Sequence, residues 1–491
     1  MKGFDDFARA RMREWGAPGV AIAVVKDGAV ILSQGYGLRD VDNGLEVTPD
    51  TLFAIGSCTK AFTTMALGML ADEGKLDWDA PVRTYLPDFT LHDPVASERM
   101  TPHDLVTHRS GLPRHDMMWH KSPFTRQELF ARLRYVVPNK DFRAVWQYQN
   151  LMYMTAGYLS GQLAGQEWED LVRERIFTPL GMRRSNLSVD ASRQDANVAQ
   201  PYSEREHSVT RVPFCDISAV GPAGSINSSV VEMSAWLLLH LNGGLHGETR
   251  LISEGQLARM HEPQVVMPAP VAHDDMPYAA YGMGWVVQTY RGRPMRWHTG
   301  GIDGFSALVT LLPRDNSGVV VLSNFDSGPL VTILSRNLCD RLLGLDEIDW
   351  QERLKGEYDK AKAATEADKE HSAGCRVPET RPSHSLDSYS GDYEHPGYGV
   401  ITITREGDQL IASYNGKTPR LEHYHYDVFD LVGDLGDARF TASFSANVEG
   451  DIDSVAIPFE PTVPPIVFQR RPAHACSDGD AEAKEAMAPV V

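Results

Sequence analysis

One five-residue segment, Gly56-Ser57-Cys58-Thr59-Lys60, constrains this chain most, because it joins a short apolar run to a helical pattern. Apolar residues recur behind it at three- and four-residue spacing until Gly74, which predicts an amphipathic helix closed by a glycine. We expect Ser57 at the first turn of that helix and Lys60 one turn later on the same face. A helix N-terminus favours developing negative charge, and a desolvated amine can act as a base for a neighbouring serine.

The Ser-x-x-Lys spacing is weak by itself, because a serine at a helix start is more often a cap. A second segment, Trp146-Gln147-Tyr148-Gln149-Asn150, precedes a helical pattern over residues 151–163. It places a phenol and a carboxamide two residues apart in a short loop. Tyr148 can relay a proton there, and Asn150 can bind a substrate amide or hold the lysine. A half-buried core tyrosine is the simpler alternative.

A third segment, Trp297-His298-Thr299-Gly300-Gly301, ends an apolar strand in the sequence pattern. Its glycines allow a substrate backbone to lie against the strand edge. A backbone N–H in this segment can face the N–H of Ser57 and form an oxyanion hole. A plain turn is the alternative interpretation.

Charge and composition exclude several classes of partner. The 491 residues include 47 basic and 66 acidic side chains, and no basic stripe stands out, so neither nucleic acid nor an anionic membrane is an expected partner. The N-terminus lacks the apolar core of a signal peptide, and no apolar run is long enough to span a membrane. The five cysteines have neither a metal-binding spacing nor a disulfide pattern, which fits a reducing cytoplasm, although a chain trimmed of its leader would look the same. We therefore expect no metal and no cofactor, and the oligomeric state stays open.

The order of elements predicts an α+β catalytic part over residues 1–345. A helix is expected over residues 8–18, followed by a hairpin whose strands, 20–25 and 30–37, flank the turn at Asp27-Gly28. Residues 61–190 are mostly helical in pattern, and strand patterns return from about residue 280 to 324 before a helix over 331–342. The early hairpin and the late strands can share one antiparallel sheet that is flanked by helices and carries a helical insertion.

The composition changes after residue 345. Residues 346–385 are predicted to be a charged helical linker, and residues 386–470 show short alternating runs typical of a small antiparallel β-barrel or sandwich. The tail, residues 471–491, has a composition typical of disorder.

Taken in order, Ser-x-x-Lys, Tyr-x-Asn and His-Thr-Gly resemble the motifs of the serine β-lactamase and penicillin-binding-protein superfamily. The chain is most similar to the class C β-lactamase-like branch, with its family S12 D-aminopeptidases and D,D-peptidases, family VIII esterases and penicillin-binding-protein-type thioesterases that cyclise peptides. The resemblance spans about residues 5–345. It includes Thr107-His108-Arg109-Ser110-Gly111-Leu112-Pro113 and Gly221-Pro222-Ala223-Gly224-Ser225-Ile226, which are similar to the His-x-Ser-Gly-Leu and Ala-Gly-Gly-Leu segments of the branch. It implies a β-lactamase/transpeptidase-like fold, followed by a lipocalin-like barrel that covers the active site in several relatives.

The resemblance also implies roles for particular residues. Ser57 would be the acylated nucleophile, Lys60 would help to deprotonate it, and Tyr148 would be the general base and acid. Asn150 would contact the substrate, Thr299 would line the pocket, and Gly301 would donate its N–H to the oxyanion. A catalytic His298 would stand where many β-lactamases have a lysine.

A histidine in that place removes a permanent cation, which argues against β-lactam hydrolysis as the main activity. We therefore expect a serine hydrolase that acts on short peptides or amides, often with D-residues, or on small esters. Three alternatives stay open: a peptide-cyclising acyltransferase, a β-lactamase, and a non-catalytic penicillin-binding-like receptor.

Overall fold

The computed structural model describes residues 1–205, 208–268, 273–374, 376–433, 435 and 439–472, without the side chains of 368–374. The chain divides into two compact units, Met1–His371 and Ser372–Val491. The predicted tail lies outside the described residues from 473 onward.

The first unit contains thirteen α-helices among the described residues, and the last of them continues past the end of the unit at His371. They are α1 Phe4–Trp15, α2 Thr59–Asp72, α3 Pro94–Arg99, α4 Pro102–Val106, α5 Arg126–Arg132, α6 Asn150–Ala164, α7 Trp168–Val172, α8 Thr178–Leu180, α9 Val189–Gln194, α10 Val230–Leu241, α11 Glu254–His261, α12 Leu330–Leu343 and α13 Trp350–Gly374.

Fifteen strands belong to the described part of the same unit. They are β1 Gly19–Lys26, β2 Ala29–Asp40, β3 Leu45–Glu46, β4 Phe53–Ala54, β5 Tyr202–Arg205, β6 Ser208–Arg211, β7 Asn227–Ser228, β8 Leu245–His246, β9 Thr249–Arg250, β10 Val265–Val266, β11 Ala279–Tyr281, β12 Val286–Tyr290, β13 Arg293–Ile302, β14 Phe305–Leu312 and β15 Ser317–Ser323.

A nine-stranded antiparallel sheet organises this unit, in the order β10-β11-β12-β13-β14-β15-β1-β2-β3. The N-terminal hairpin joins the late strands where β1 pairs with β15, in a register that sets Val20 opposite Ser323. Both strands are apolar and almost entirely buried, as expected for the centre of a sheet that is covered on both faces. The predicted α+β fold, with one sheet that joins early and late strands, is confirmed.

The hairpin turn is also confirmed. Asp27 has φ 49° and Gly28 has φ 80°, so both central residues adopt the left-handed conformation that a two-residue Asp-Gly turn requires. The first helix differs from its predicted bounds of 8–18. It begins at Phe4 and ends at Trp15, because Gly16 adopts φ 69° and caps its C-terminus.

Helix α2 was predicted to be amphipathic, and the structure corrects this. Every residue from Thr59 to Leu70 is buried, because α2 lies between the sheet and the surrounding helices. On one side, Phe62 stacks on Trp236 of α10 with ring centroids 3.7 Å apart. A helix that is buried on all faces holds its first turn rigidly, and Ser57 lies just before it.

The second unit contains a short helix, α14 Leu386–Tyr389, and a closed eight-stranded barrel. The strands are β16 Gly391–His395, β17 Gly399–Glu406, β18 Gln409–Ser413, β19 Arg420–His425, β20 Val428–Val432, β21 Phe440–Ala446, β22 Ile452–Ile457 and β23 Ile466–Arg470. Each strand pairs with its neighbour in the chain, and β16 pairs with β23 to close the barrel. Aromatic side chains such as Tyr393, Phe444 and Phe468 are buried among these strands. The predicted antiparallel β-barrel is confirmed.

Within the described residues, no helix combines the length and the apolar character that crossing a membrane requires.

Candidate active site

Ser57 lies in a 3-10 turn, Gly56–Cys58, that leads directly into α2. This turn packs backbone to backbone against β13. A Cβ at Gly300 would lie 1.8 Å from the carbonyl oxygen of Ile55 and 3.2 Å from the nitrogen of Ser57. A Cβ at Gly56 would lie 2.7 Å from the nitrogen of Gly301. The glycines therefore allow the backbone of Ser57 to lie next to that of Gly301, where two N–H groups can serve one oxyanion.

The Ser57 hydroxyl lies between two polar side chains. Lys60 Nζ is 3.1 Å from Ser57 Oγ, and the Tyr148 hydroxyl donates to Ser57 Oγ at 2.7 Å. The structure thus brings the first two sequence motifs together across 91 residues.

Lys60 is fully buried on α2. It donates to Asn150 Oδ1 at 2.9 Å and to the carbonyl oxygen of Ala223 at 2.8 Å. Burial, with a smaller effect from the Arg114 cation, holds the pKa of Lys60 well below its usual range. The environment of the amine therefore favours its uncharged form.

Tyr148 is held by the segment that resembles the His-x-Ser-Gly-Leu motif. His108, which has φ 59°, accepts from the backbone N–H groups on both sides of Tyr148. The N–H of Gln147 donates to its carbonyl at 2.7 Å, and the N–H of Gln149 donates to its Nδ1 at 3.0 Å. Desolvation raises the pKa of Tyr148 above its usual range, so the phenol keeps its proton in the resting site.

Asn150 is the first residue of α6, and its amide links the site to two residues that sequence reasoning missed. Its Nδ2 donates to Asp116 Oδ1 at 3.3 Å, and Asp116 Oδ2 accepts from Arg114 Nε at 2.5 Å. The Arg114 guanidinium lies 5.1 Å from the centre of the Tyr148 ring. No motif spacing pointed to this pair. The only sequence signal was that Arg114 and Asp116 come directly after the segment that contains His108.

The third motif lies within β13, which runs on to Ile302 and does not end at His298. Thr299 and Gly301 are exposed on one face of the strand, and His298 points to the buried side, as expected for alternating residues. Thr299 and Gly301 thus lie on the open face of the strand segment that abuts Ser57.

His298 contacts neither Ser57 nor Tyr148 through a hydrogen bond in the described structure. Its Nδ1 lies 2.6 Å from the carbonyl oxygen of Thr299, so Nδ1 donates and Nε2 accepts from the Tyr281 hydroxyl at 2.9 Å. Burial, and then the nearby Lys60, lower the pKa of His298 to about 3, so the ring is neutral. The structure therefore places His298 behind the site, as a support for Tyr281.

Cys58, next to the serine, points into the core. It is 3% exposed, and its Sγ donates to the carbonyl of His298 at 3.3 Å. Burial raises the pKa of the Cys58 thiol to about 12, so this cysteine is not a thiolate at neutral pH.

Comparisons with known proteins show the family and the fold of the chain. The β-lactamase family matches residues 4–337, and a domain of unknown function, DUF3471, matches residues 375–470. An unguisins hydrolase from Aspergillus campestris is 29% identical over 94% of this chain and 90% of its own length.

Two solved structures share the fold. An octameric penicillin-binding protein homologue from Pyrococcus abyssi has a TM-score of 0.63 and 22% identity, and the match covers 96% of this chain and 100% of that one. The D-amino acid amidase from Ochrobactrum anthropi SV3 has a TM-score of 0.56 and 24% identity over 70% of this chain and 98% of that one. Because the family match spans more than half of its residues, the chain belongs to the β-lactamase family and is a serine hydrolase.

Proposed function

We propose that this hydrolase cleaves uncharged amides or esters of short peptides, including peptides with D-residues, through an acyl-enzyme on Ser57. One observation carries the proposal: Ser57 Oγ lies 3.1 Å from a buried amine, Lys60 Nζ, and 2.7 Å from a protonated phenol, Tyr148. A base on one side and an acid on the other are what acyl transfer to a hydroxyl requires.

The hydrogen bonds of Lys60 support its role as the proposed base. A neutral amine has two N–H donors and one lone pair. The oxygens of Asn150 and Ala223 accept the two donors, so the lone pair is left to face the Ser57 hydroxyl. Lys60 can then take the serine proton as Oγ attacks the substrate carbonyl.

Tyr148 supplies the acid. Because its pKa is raised, the phenol enters the reaction with its proton and donates toward the reacting oxygen. When the tetrahedral intermediate collapses, Tyr148 can protonate the leaving amine or alcohol, and the proton that Lys60 took from Ser57 restores the phenol. The N–H groups of Ser57 and Gly301 are the proposed oxyanion donors.

The preference for uncharged substrates follows from the charges of the site. Burial favours the uncharged forms of Lys60 and His298, and the Arg114 cation is paired with the Asp116 carboxylate. These groups together carry no net charge that would favour a substrate carboxylate. In this account, His298 is a positioning residue that acts through Tyr281, and Thr299 lines the substrate pocket.

The names of the similar proteins support a peptide or amide as the bond that is cleaved. One relative is a hydrolase of unguisins, and one protein of similar fold is a D-amino acid amidase.

A product-resolved screen tests the proposal. The full-length protein is incubated with D- and L-amino-acid amides, short neutral esters and a penicillin, and the products are identified by mass spectrometry. We expect neutral amides or esters to be turned over faster than the penicillin, and D-residues to be preferred over L-residues. A penicillin as the best substrate would contradict the proposal. A parallel series with an added amine separates hydrolysis from acyl transfer, since a dominant amide product would favour the transferase.

A further inference from the structure

We propose that His120, Cys215 and Asp303 form a zinc-binding site in the catalytic unit, apart from the hydrogen-bonded group around Ser57. Among the described residues, these three bring one ligand atom each within 4.8 Å of the other two.

Two of the three distances between the ligand atoms match those around a tetrahedral ion, and the third is at most 4.8 Å. Cys215 Sγ lies 3.6 Å from His120 Nε2, and His120 Nε2 lies 3.6 Å from Asp303 Oδ2. Zinc binds thiolate sulfur at about 2.3 Å and imidazole nitrogen or carboxylate oxygen at about 2.0–2.2 Å. At tetrahedral angles these bonds separate the ligand atoms by roughly 3.4–3.6 Å. The three side chains therefore need only small movements to bind one ion.

The same geometry argues against a Cys-His-Asp catalytic relay. In a relay, the nucleophile and the carboxylate contact opposite nitrogens of the imidazole. Here the thiol and the carboxylate both approach Nε2 of His120. The three groups therefore surround one point.

Three separate segments supply the ligands. His120 follows the turn that contains Asp116, and its backbone N–H donates to the Asp116 carbonyl at 2.9 Å. Cys215 is buried in the segment after β6, and Asp303 lies in the tight turn between β13 and β14. Because 95 residues separate the histidine from the cysteine, the chain shows no metal-binding spacing, and only the fold reveals the cluster.

The turn that carries Asp303 is fixed by its own contacts. Gly304 has φ 80°, and its N–H donates to Asp326 Oδ2 at 2.8 Å. Ile302 pairs with Phe305 across the turn. The carboxylate is thereby presented on a rigid element, as a metal ligand should be.

The chemistry of the three ligands favours zinc. A thiolate and an imidazole suit Zn²⁺ better than Mg²⁺ or Ca²⁺, which prefer oxygen ligands. The thiolate and the carboxylate together balance the charge of the ion. His120 and Asp303 have side chains that are 23% and 39% exposed, so the ion has an entry path. Three protein ligands leave a fourth position for water or for a Lewis-basic group of a ligand.

Asp303 follows Gly301 by two residues in the same hairpin. A bound ion would therefore lie beside the strand that carries the proposed oxyanion donor. The role of Ser57 does not depend on this ion, and binding of the ion does not depend on Ser57.

Zinc titration of the full-length, reduced and metal-stripped protein tests the site. The wild-type protein should bind one equivalent of Zn²⁺, measured by competition with a chromophoric chelator. His120→Asn, Cys215→Ser and Asp303→Asn should each weaken binding by at least about 100-fold. Changes to residues that only orient a metal ligand cost up to about 100-fold in affinity, and loss of a ligand itself should cost at least as much. Affinity should rise with pH, because binding releases the thiol proton of Cys215.

Cobalt substitution identifies the ligands by a second measurement. Co²⁺ bound to the wild-type protein should show a thiolate-to-cobalt charge-transfer band, and Cys215→Ser should lose it.

His92→Asn, at an exposed histidine elsewhere, and Ser57→Ala should both bind zinc like the wild type. Thermal unfolding without metal checks that the variants fold, and Asp303→Asn is the mildest change because its side chain is partly exposed. Wild-type affinity in Cys215→Ser or Asp303→Asn, or a cobalt band that persists in Cys215→Ser, overturns the proposal.

Discussion

In the proposed mechanism, the protonation state of Lys60 decides whether Ser57 can be activated, because a charged ammonium has no lone pair for the serine proton. Burial disfavours the charge, and the Arg114 cation disfavours it further, whereas the Asp116 carboxylate opposes both effects. Asp116 also accepts a hydrogen bond from Asn150 Nδ2, and Asn150 Oδ1 accepts one from the Lys60 amine. Residues outside the three motifs thus help to set the pKa of the proposed base.

This balance gives a pair of predictions with opposite signs. Arg114→Gln removes a cation and should raise the pKa of Lys60, which moves the acid limb of kcat/KM to higher pH. Asp116→Asn removes an anion and should move that limb to lower pH. The measurement is a pH–rate profile with a neutral ester, and Arg205→Gln, at an exposed arginine elsewhere, is the control. Shifts in the same direction for both variants would contradict Lys60 as the base.

A second prediction at this scale concerns His298. With a pKa of about 3, this ring is neutral across the working pH range, so the wild-type preference among substrates should not change between about pH 6 and pH 8. His298→Lys should slow acylation by a penicillin and by a neutral ester alike, because residue 298 faces the buried side and acts through Tyr281, and burial beside Lys60 disfavours a charge on the new amine. Second-order acylation rates with both compounds give the ratio. A ratio that shifts about ten-fold or more toward the penicillin would contradict a positioning role for residue 298.

At the scale of elements, the contact between the Ser57 turn and β13 builds the site, and it depends on two adjacent glycines that are not equivalent. A Cβ at Gly300 would overlap the carbonyl of Ile55, whereas no described heavy atom lies within 4 Å of a Cβ at Gly301. Gly300→Ala should therefore destabilise the protein by roughly 1–3 kcal/mol, the range for overpacking, and slow acylation of Ser57. Gly301→Ala keeps its backbone N–H and should unfold like the wild type. Denaturant midpoints of the two variants check this, and equal midpoints would contradict the close approach.

The sequence predicted those elements that depend on interactions between residues close together in the chain. The Asp27-Gly28 hairpin and the start of α6 next to Tyr148 follow from turn residues and helical spacing. The break between β11 and β12 could not be predicted, since residues 281–287 read as one apolar strand. Gly284 adopts φ 87° there, and its Cβ position lies 2.9 Å from the Cα of Ala61, so a tertiary approach interrupts the strand.

The same limit applies to the site. Ser57 and Lys60 are one turn apart, and Tyr148 and Asn150 are two residues apart, so spacing could suggest them. Asp116 and Ala223 reach the site only through the fold, and no residue pattern marks a carbonyl oxygen as the acceptor of a hydrogen bond from lysine. The position of His298 behind Tyr281 also depends on the register of β13. The sequence pattern alone did not decide on which face of the sheet His298 lies.

At the scale of the whole molecule, the core of the first unit extends beyond α12. Trp350, at the start of α13, is 1% exposed, and its Nε1 donates to Asp340 Oδ2 at 2.7 Å. Its ring stacks with Tyr290, with centroids 6.0 Å apart. The catalytic unit therefore needs residues that a sequence-based boundary at 345 would omit.

Truncation tests this boundary. A chain that ends at His371 keeps Trp350 and should fold and react with an active-site probe, because all the proposed catalytic residues lie before residue 302. A chain that ends at Gly344 loses Trp350, and we expect it to unfold at a lower temperature, since truncating a buried tryptophan costs about 3–5 kcal/mol. The full-length variant Trp350→Ala is the matched control and should show a similar loss. Equal unfolding temperatures for the two truncated chains would contradict a core that reaches α13.

Covalent labelling of Ser57 tests the central claim most directly. The full-length protein, Ser57→Ala and Cys58→Ala are treated with a fluorophosphonate, and intact mass and peptide mapping locate the adduct. The account predicts one adduct on Ser57 in the wild type and in Cys58→Ala. It predicts none in Ser57→Ala, together with a loss of turnover on the order of a million-fold and an unchanged unfolding temperature. An adduct on another residue, or a Ser57→Ala protein that is still labelled and active, would contradict the acyl-enzyme on Ser57.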